Sequence, residues 1–243
     1  MTGWCVAKFR LHYLFPPYGV SRPVFSLFKL CLSIAAIILT APLRAASPCN
    51  EPARPGPAWE LSEQTPLADI YQPVNKTGAP PAALVSIQWD ADPGLLYAII
   101  WDYEHFADYI PNVKSSRILA KQADRVWVYQ QLHLPGPARD RHYIMVSSNS
   151  DSKPAQHQYR VDWSLSTQYP LPDTQHLVKP EHFRGCWNIT AGKQQGLVAS
   201  YWIELDPGGL LPRWMTQAAL RHYIADLMNA LYQRVQSASD TQH

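Results

Sequence analysis

The 243-residue sequence predicts an α+β fold: a curved antiparallel β-sheet wrapped around one long C-terminal α-helix, with two short helices after the third strand. Three observations carry this. From Val113 to Leu205 the chain reads as strand after strand, separated by turn signals. At Asp206-Pro207-Gly208-Gly209-Leu210-Leu211-Pro212-Arg213-Trp214 the pattern switches. Pro207 and the glycine pair break the last strand, and Pro212 suits the first turn of a helix, where a missing N–H costs nothing. Beyond it, Leu220, Ile224, Leu227, Leu231 and Val235 recur at helical spacing, flanked by Met228.

The elements follow in chain order. Residues 1–46 have the form of a signal peptide. Lys29 precedes the apolar run Leu30 to Leu43, broken by Ser33 and Thr40, and Ala45-Ala46-Ser47 offers a cleavage site. The run is shorter than the roughly 20 apolar residues of a membrane span; an uncleaved N-terminal anchor is the alternative. Met1 to Gly19 is aromatic and makes the leader overlong, which places the true start near Val20. Residues 47–58, with Pro48, Pro52, Pro55 and Pro57, read as an extended Pro-rich tether.

Trp59 opens the folded domain, 59–236. Leu67 to Val74 and Ala82 to Trp89 read as strands about the turn Gly78-Ala79-Pro80-Pro81. Asp92 and Pro93 start a helix as N-cap and first helical residue, and Leu95, Leu96, Ile99 and Ile100 give it an apolar face. Tyr103 to Tyr109 forms a second short helix, ending before Pro111. The strands then run Val113 to Leu119, Arg125 to Leu134, His142 to Ser148, Gln158 to Ser166, His182 to Thr190 and Leu197 to Leu205. The last helix spans Pro212 to Val235, roughly 36 Å at 1.5 Å per residue, and 237–243 read as a disordered tail.

Charge argues against one class of partner. The formal net charge is +2, but five of the 21 Lys and Arg (Lys8, Arg10, Arg22, Lys29, Arg44) and none of the 19 Asp and Glu lie in the leader. The remainder carries 16 basic against 19 acidic residues, a net of −3. With no basic run or patch, nucleic acid is not a partner this sequence recommends.

Cysteine and histidine are weakly placed for chemistry. Cys5 and Cys31 belong to the leader. Cys49 and Cys186 remain, and export would allow a bridge. Because Cys49 falls in the tether, two unrelated thiols are the favoured reading. The nine His show no H-x-H or H-E-x-x-H spacing, and no C-x-x-C occurs, so no metal is expected. There is no G-x-S-x-G elbow and no phosphate-binding glycine loop. Asp102 and Glu104 point different ways on a helix and make a poor acid–base pair.

Four motifs carry a family resemblance. Trp101-Asp102-Tyr103 with Phe106, Tyr109 and Pro111 resembles the helix pair of the StAR-related lipid-transfer (START) domains. Pro135-Gly136-Pro137-Ala138-Arg139-Asp140-Arg141 resembles their P-x-P-x-x-D-R segment, and Gly185-Cys186-Trp187 their G-x-W strand. Asp206-Pro207-Gly208-Gly209 with Pro212 and Trp214 resembles the start of their long helix. Gly136 and His142 depart from bacterial members, which commonly carry Trp and Asp there. The resemblance runs from about Trp59 to Val235 and implies the helix-grip fold of an exported bacterial member.

That fold implies a deep apolar cavity between sheet and helix. Relatives hold sterols, phospholipids or other apolar molecules there, and some move them between membranes. The implied partners are a lipid or other hydrophobic small molecule and, transiently, a membrane surface. The chain would work as a monomer in the periplasm or outside the cell, with no cofactor. Candidate cavity residues are Arg141, Tyr143, Trp163, Trp187, Tyr201 and Trp214, with Ile224, Leu227 and Met228 on the helix. Arg141 with Asp140 has a second, purely structural reading, as a pair pinning the start of a strand. On the last strand Leu197, Ala199, Tyr201, Ile203 and Leu205 share the more apolar face and should turn inward. Two other functions stay open: an enzyme like the polyketide cyclases and dehydratases of the superfamily, and an assembly module whose cavity is packed shut.

Overall fold

The structure is a computed structural model that describes Cys49 and residues 55–75, 78–134, 138–174, 176–192, 196–209 and 211–240, the Arg213 side chain excepted. The leader, its start near Val20, most of the tether, the turn 135–137 and the last three residues lie outside the described residues.

Among the described residues nine strands form one antiparallel sheet. They are β1 (Trp59–Gln64), β2 (Asp69–Pro73), β3 (Ala82–Trp89), β4 (Val113–Gln122), β5 (Arg125–Leu132), β6 (Arg141–Ser148), β7 (Gln158–Leu165), β8 (His182–Ala191) and β9 (Leu197–Asp206). Their order across the sheet is β1-β2-β3-β9-β8-β7-β6-β5-β4. Register shifts between Leu61 and Glu63, Val113 and Ser115, and Ile118 and Ala120 bend the strands near both edges, as bulges do. α1 (Pro93–Trp101), a 3₁₀ turn (Tyr103–His105) and α2 (Phe106–Tyr109) connect β3 to β4, and α3 (Arg213–Asp240) closes the chain.

Local chemistry explains the boundaries. Asp92 Oδ1 accepts the Leu95 N–H at 2.9 Å, and Pro93 follows where its missing donor is harmless. α1 ends at Asp102, and Tyr109 then ties α2 back to it by donating its hydroxyl to the Ile99 carbonyl at 2.7 Å. α3 begins one residue later than the sequence suggested. The Pro212 carbonyl takes the N–H groups of Met215 and Thr216 at 3.0 and 3.1 Å, so Pro212 caps the helix from outside.

The core lies on the concave side. Inward residues of β3 and β5–β9 meet Leu96, Ile99 and Ile100 of α1, and Leu220, Ile224, Leu227, Met228, Leu231 and Val235 of α3. Two-residue alternation sorts β9 as expected: Leu197, Ala199, Tyr201 and Ile203 are buried in this core, with Leu205 packed against it. Among the described residues no helix is long and apolar enough to cross a membrane.

The convex side holds a second, small core of Cys49, Leu84, Cys186 and Trp202, with Trp59 and Tyr71 against it. Here the structure corrects the sequence reading. Cys49 and Cys186 form a disulfide, with Cα atoms 5.8 Å apart across 137 residues of sequence. Cys49 is not part of a free tether. Its carbonyl accepts from Arg160 Nη1 at 2.8 Å and Asn188 Nδ2 at 2.6 Å. Asp162 completes a group of potential metal ligands with the two sulfurs, but the sulfurs are joined and Arg160 grips both carboxylate oxygens at 2.7 and 2.8 Å.

Two further differences are local. β1 is the strand the fold class requires but the sequence gives no bounds for, because only Trp59 and Leu61 of WELSEQ are apolar and four of its six residues are exposed. The supposed tail is helical through Asp240, where Ser237 and Ser239 hydroxyls bond the carbonyls of Gln233 and Val235 and nothing interrupts the helix.

Candidate ligand pocket

A pocket lies between the concave face and α3. Its floor is Gln130 and Leu132 of β5, Tyr143 and Met145 of β6, Trp163 of β7, Phe183 and Trp187 of β8, and Tyr201 of β9. Tyr223, Leu227 and Leu231 of α3 close one side. Ile100, Tyr103, Phe106, Ile110 and Val113 close the other. Among these lining residues none is Asp, Glu, His, Lys or Arg.

Aromatic rings fill most of the space. Trp187 and Tyr201 have centroids 4.6 Å apart, Tyr143 and Phe183 4.9 Å, and Trp163 and Tyr201 stack at 5.7 Å. The remaining volume is about 80 Å³, below the roughly 300–1,000 Å³ of sites for drug-sized ligands. The deep cavity expected from the sequence is therefore a small one in this conformation.

The glycine of the G-x-W motif shapes the floor. Gly185 pairs directly with Trp163. A Cβ on it would sit 2.3 Å from Trp163 Cζ2 and 2.4 Å from the Trp202 carbonyl oxygen. Only a residue without a side chain lets the Trp163 indole lie flat over β8.

Polar groups sit inside this apolar shell. The Tyr143 hydroxyl donates to Gln130 Oε1 at 2.7 Å, and Gln130 Nε2 donates to Ser116 Oγ at 3.1 Å. Tyr103 Oη and Ser147 Oγ are 2.7 Å apart, and Ser147 Oγ donates to the Asp162 carbonyl, which leaves Tyr103 as the donor of that pair. Burial raises the Tyr143 and Tyr201 pKa values well above the ordinary phenol value, and the nearby Tyr223 adds to both shifts. Burial pushes Tyr223 itself up to about 12. All three are neutral donors at physiological pH.

Five candidates from the sequence meet in this pocket: Tyr143, Trp163, Trp187, Tyr201 and Leu227. Four do not. Ile224 and Met228 are fully buried in the core beside it. Trp214 is 73 % exposed. It lies six residues ahead of Leu220, which at 3.6 residues per turn takes it off the apolar stripe.

Arg141 is the fourth, and it is structural. Its Nε donates to the Pro207 carbonyl at 2.6 Å, its Nη2 to the Gly208 carbonyl at 2.9 Å, and its Nη1 to the Arg139 carbonyl. It clamps the strand-to-helix switch. Gly208 has φ 68°, and a Cβ there would meet the Lys179 carbonyl oxygen at 2.5 Å. Asp140 turns outward to His133 Nδ1 at 2.9 Å and Lys114 Nζ at 3.5 Å. Partial burial works to raise its pKa, but hydrogen bonds from His133 and the Leu134 N–H outweigh that, and the net shift is down.

The sequence reading missed Gln130 and Tyr223. Both had a signal. Gln130 follows Val126 and Val128 at two-residue spacing, a polar residue on an apolar face, and Tyr223 lies four residues before Leu227 on the helix stripe.

Residues 89–232 match the family model described as polyketide cyclase / dehydrase and lipid transport. The chain belongs to this family. No curated protein matches it. Solved structures place it among the START-type helix-grip folds. The STAR-related lipid transfer protein from Xanthomonas axonopodis is 17 % identical, covers 74 % of this chain and 99 % of its own, and superposes with a TM-score of 0.65. Human STARD10 is 16 % identical, covers 78 % of each chain and reaches 0.70. Human StAR-related lipid transfer protein 5 is 10 % identical, with 76 % and 90 % covered and 0.64. At these identities the likeness is one of fold. Family and fold together support binding of a lipid or other hydrophobic ligand.

Proposed function

We propose that this member of the family is an exported, monomeric protein that binds an apolar small molecule between its sheet and α3, and hands it to or takes it from a membrane. The observation that carries the reading is the aromatic pocket, which lies between the sheet and the single helix α3. The small volume requires that α3 or the rings shift to admit a ligand. Each CH₂ then removed from water contributes about 0.8 kcal/mol. Trp214 and Met215, 73 % and 42 % exposed at the start of α3, are the side chains suited to touch a membrane surface.

The enzyme reading finds less support. General acid–base work needs a group that titrates near the working pH, and the lining residues supply only high-pKa phenols. His142 lies on the other face of β6 from Tyr143, against the Tyr129 ring at 6.1 Å. The small volume does favour a second reading, a packed-shut assembly module. One experiment separates the two. Mass spectrometry of an organic extract of the natively purified chain should find a co-purifying lipid or quinone, and a fluorescent apolar analogue should bind. An empty extract with no analogue bound selects the assembly module.

A further inference from the structure

The pocket's chemistry points to a narrower ligand class, an inference that rests on the binding function proposed above. Three neutral phenols, Tyr143, Tyr201 and Tyr223, gather at one place in an apolar shell. Tyr143 is already spent on Gln130, and Gln130 on Ser116. Tyr223 adds to the upward shift of Tyr201, and Tyr223 itself is raised by burial alone. The indole of Trp163 stacks on Tyr201, and its buried Nε1 has no partner among the described residues. Donors are thus in excess here, and nothing with a positive charge lines the site.

Two consequences follow. A carboxylate or phosphate placed here would be a buried anion with no cation among the lining residues to meet it, which is strongly unfavourable. A neutral oxygen acceptor would be welcomed, because Trp163, Tyr201 and Tyr223 bring their donor groups to the lining of one pocket. We propose that the pocket selects an uncharged apolar molecule bearing a carbonyl oxygen, as in a ketone, quinone or ester, and turns away fatty acids and the headgroups of phospholipids.

A matched series tests this on the full chain by calorimetry: methyl naphthyl ketone, naphthalene and naphthoate. The ketone should bind at least tenfold more tightly than naphthoate and more tightly than naphthalene. Tyr201→Phe should weaken the ketone roughly three- to tenfold and leave naphthalene unchanged. Naphthoate binding as well as the ketone overturns the inference, as does a Tyr201→Phe variant that binds the ketone like the parent. Both results leave the general binding function standing. If no probe binds, the organic extract decides. A neutral carbonyl lipid in it supports the inference, a fatty acid or phospholipid overturns it, and an empty extract overturns the binding function as well.

Discussion

His142 shows how one residue can make the fold pH-sensitive. It is 1 % exposed on β6, and its Nδ1 has no partner among the described residues. Burial, and then the charge of Lys179, hold its pKa below the ordinary 6.5. In the unfolded chain the imidazole takes a proton as pH falls through about 6.5, while the folded chain resists. The unfolded state therefore binds more protons in that window, and stability falls on acidification. Stability is full above pH 6.5 and declines below it. Denaturant titrations between pH 7.5 and 5 should show this slope, and His142→Phe should flatten it. His105 works in the opposite sense, since the hydrogen bond from its ring to Asp102 and that carboxylate's charge raise its pKa; the difference between parent and variant isolates His142. An unchanged slope in the variant would remove His142 from the account. The sequence marked His142 as a departure from bacterial relatives and, beside Asp140 and Arg141, as the place to look for acid–base chemistry, but not as a buried residue. Its burial depends on Val178, whose carbonyl takes the His142 N–H at 3.1 Å from a distant loop. Arg141 was legible as a structural residue for a similar reason only in part: the motif flagged it, but its partners, Pro207 and Gly208, lie 66 and 67 residues on.

At the scale of elements, α3 contributes both to the core and to the lining of the pocket. Leu227 touches the pocket and the core together. Leu227→Ala should cost about 2–5 kcal/mol, lowering Tm by roughly 5–15 °C, and should loosen ligand retention in proportion. Calorimetry with and without a bound analogue reads both. Retained affinity in a destabilised variant would show that α3 does not cover the site. This helix was the most readable element, because a five-residue apolar stripe without Pro or Gly fixes type and face at once. Strands β3 to β9 were readable to within a few residues by alternation and turns. β1 was not, since an edge strand with one weakly buried face leaves no periodic trace. The pocket was half legible. Trp163, Tyr143 and Tyr201 follow from alternation, but whether an inward residue meets a void or a neighbour depends on rings from other strands. Ile224 and Leu227 differ by less than one turn and fall on different sides of that line.

For the whole molecule, the disulfide is a long-range covalent constraint. It closes a loop of 137 residues, and its loss is expected to cost about 2–5 kcal/mol. Cys186→Ser should therefore melt roughly 5–15 °C below the parent, and a reductant should shift the parent by the same amount. Equal melting with and without reductant would mean the bridge adds nothing to stability. The pairing fits our proposal of export to an oxidising compartment. It was not legible because sequence distance says nothing about which thiols the sheet brings together. Arg160 and Asn188, 111 and 139 residues from Cys49, create its berth.

The position of that bridge has a practical consequence. Cys49 sits on the convex core, and the pocket opens on the concave one. Cys49 itself is therefore an attachment point on the back of the sheet. A domain mounted through Cys49 is held on the face of the sheet opposite the pocket, so a sensor chip built that way should leave the pocket side unobstructed.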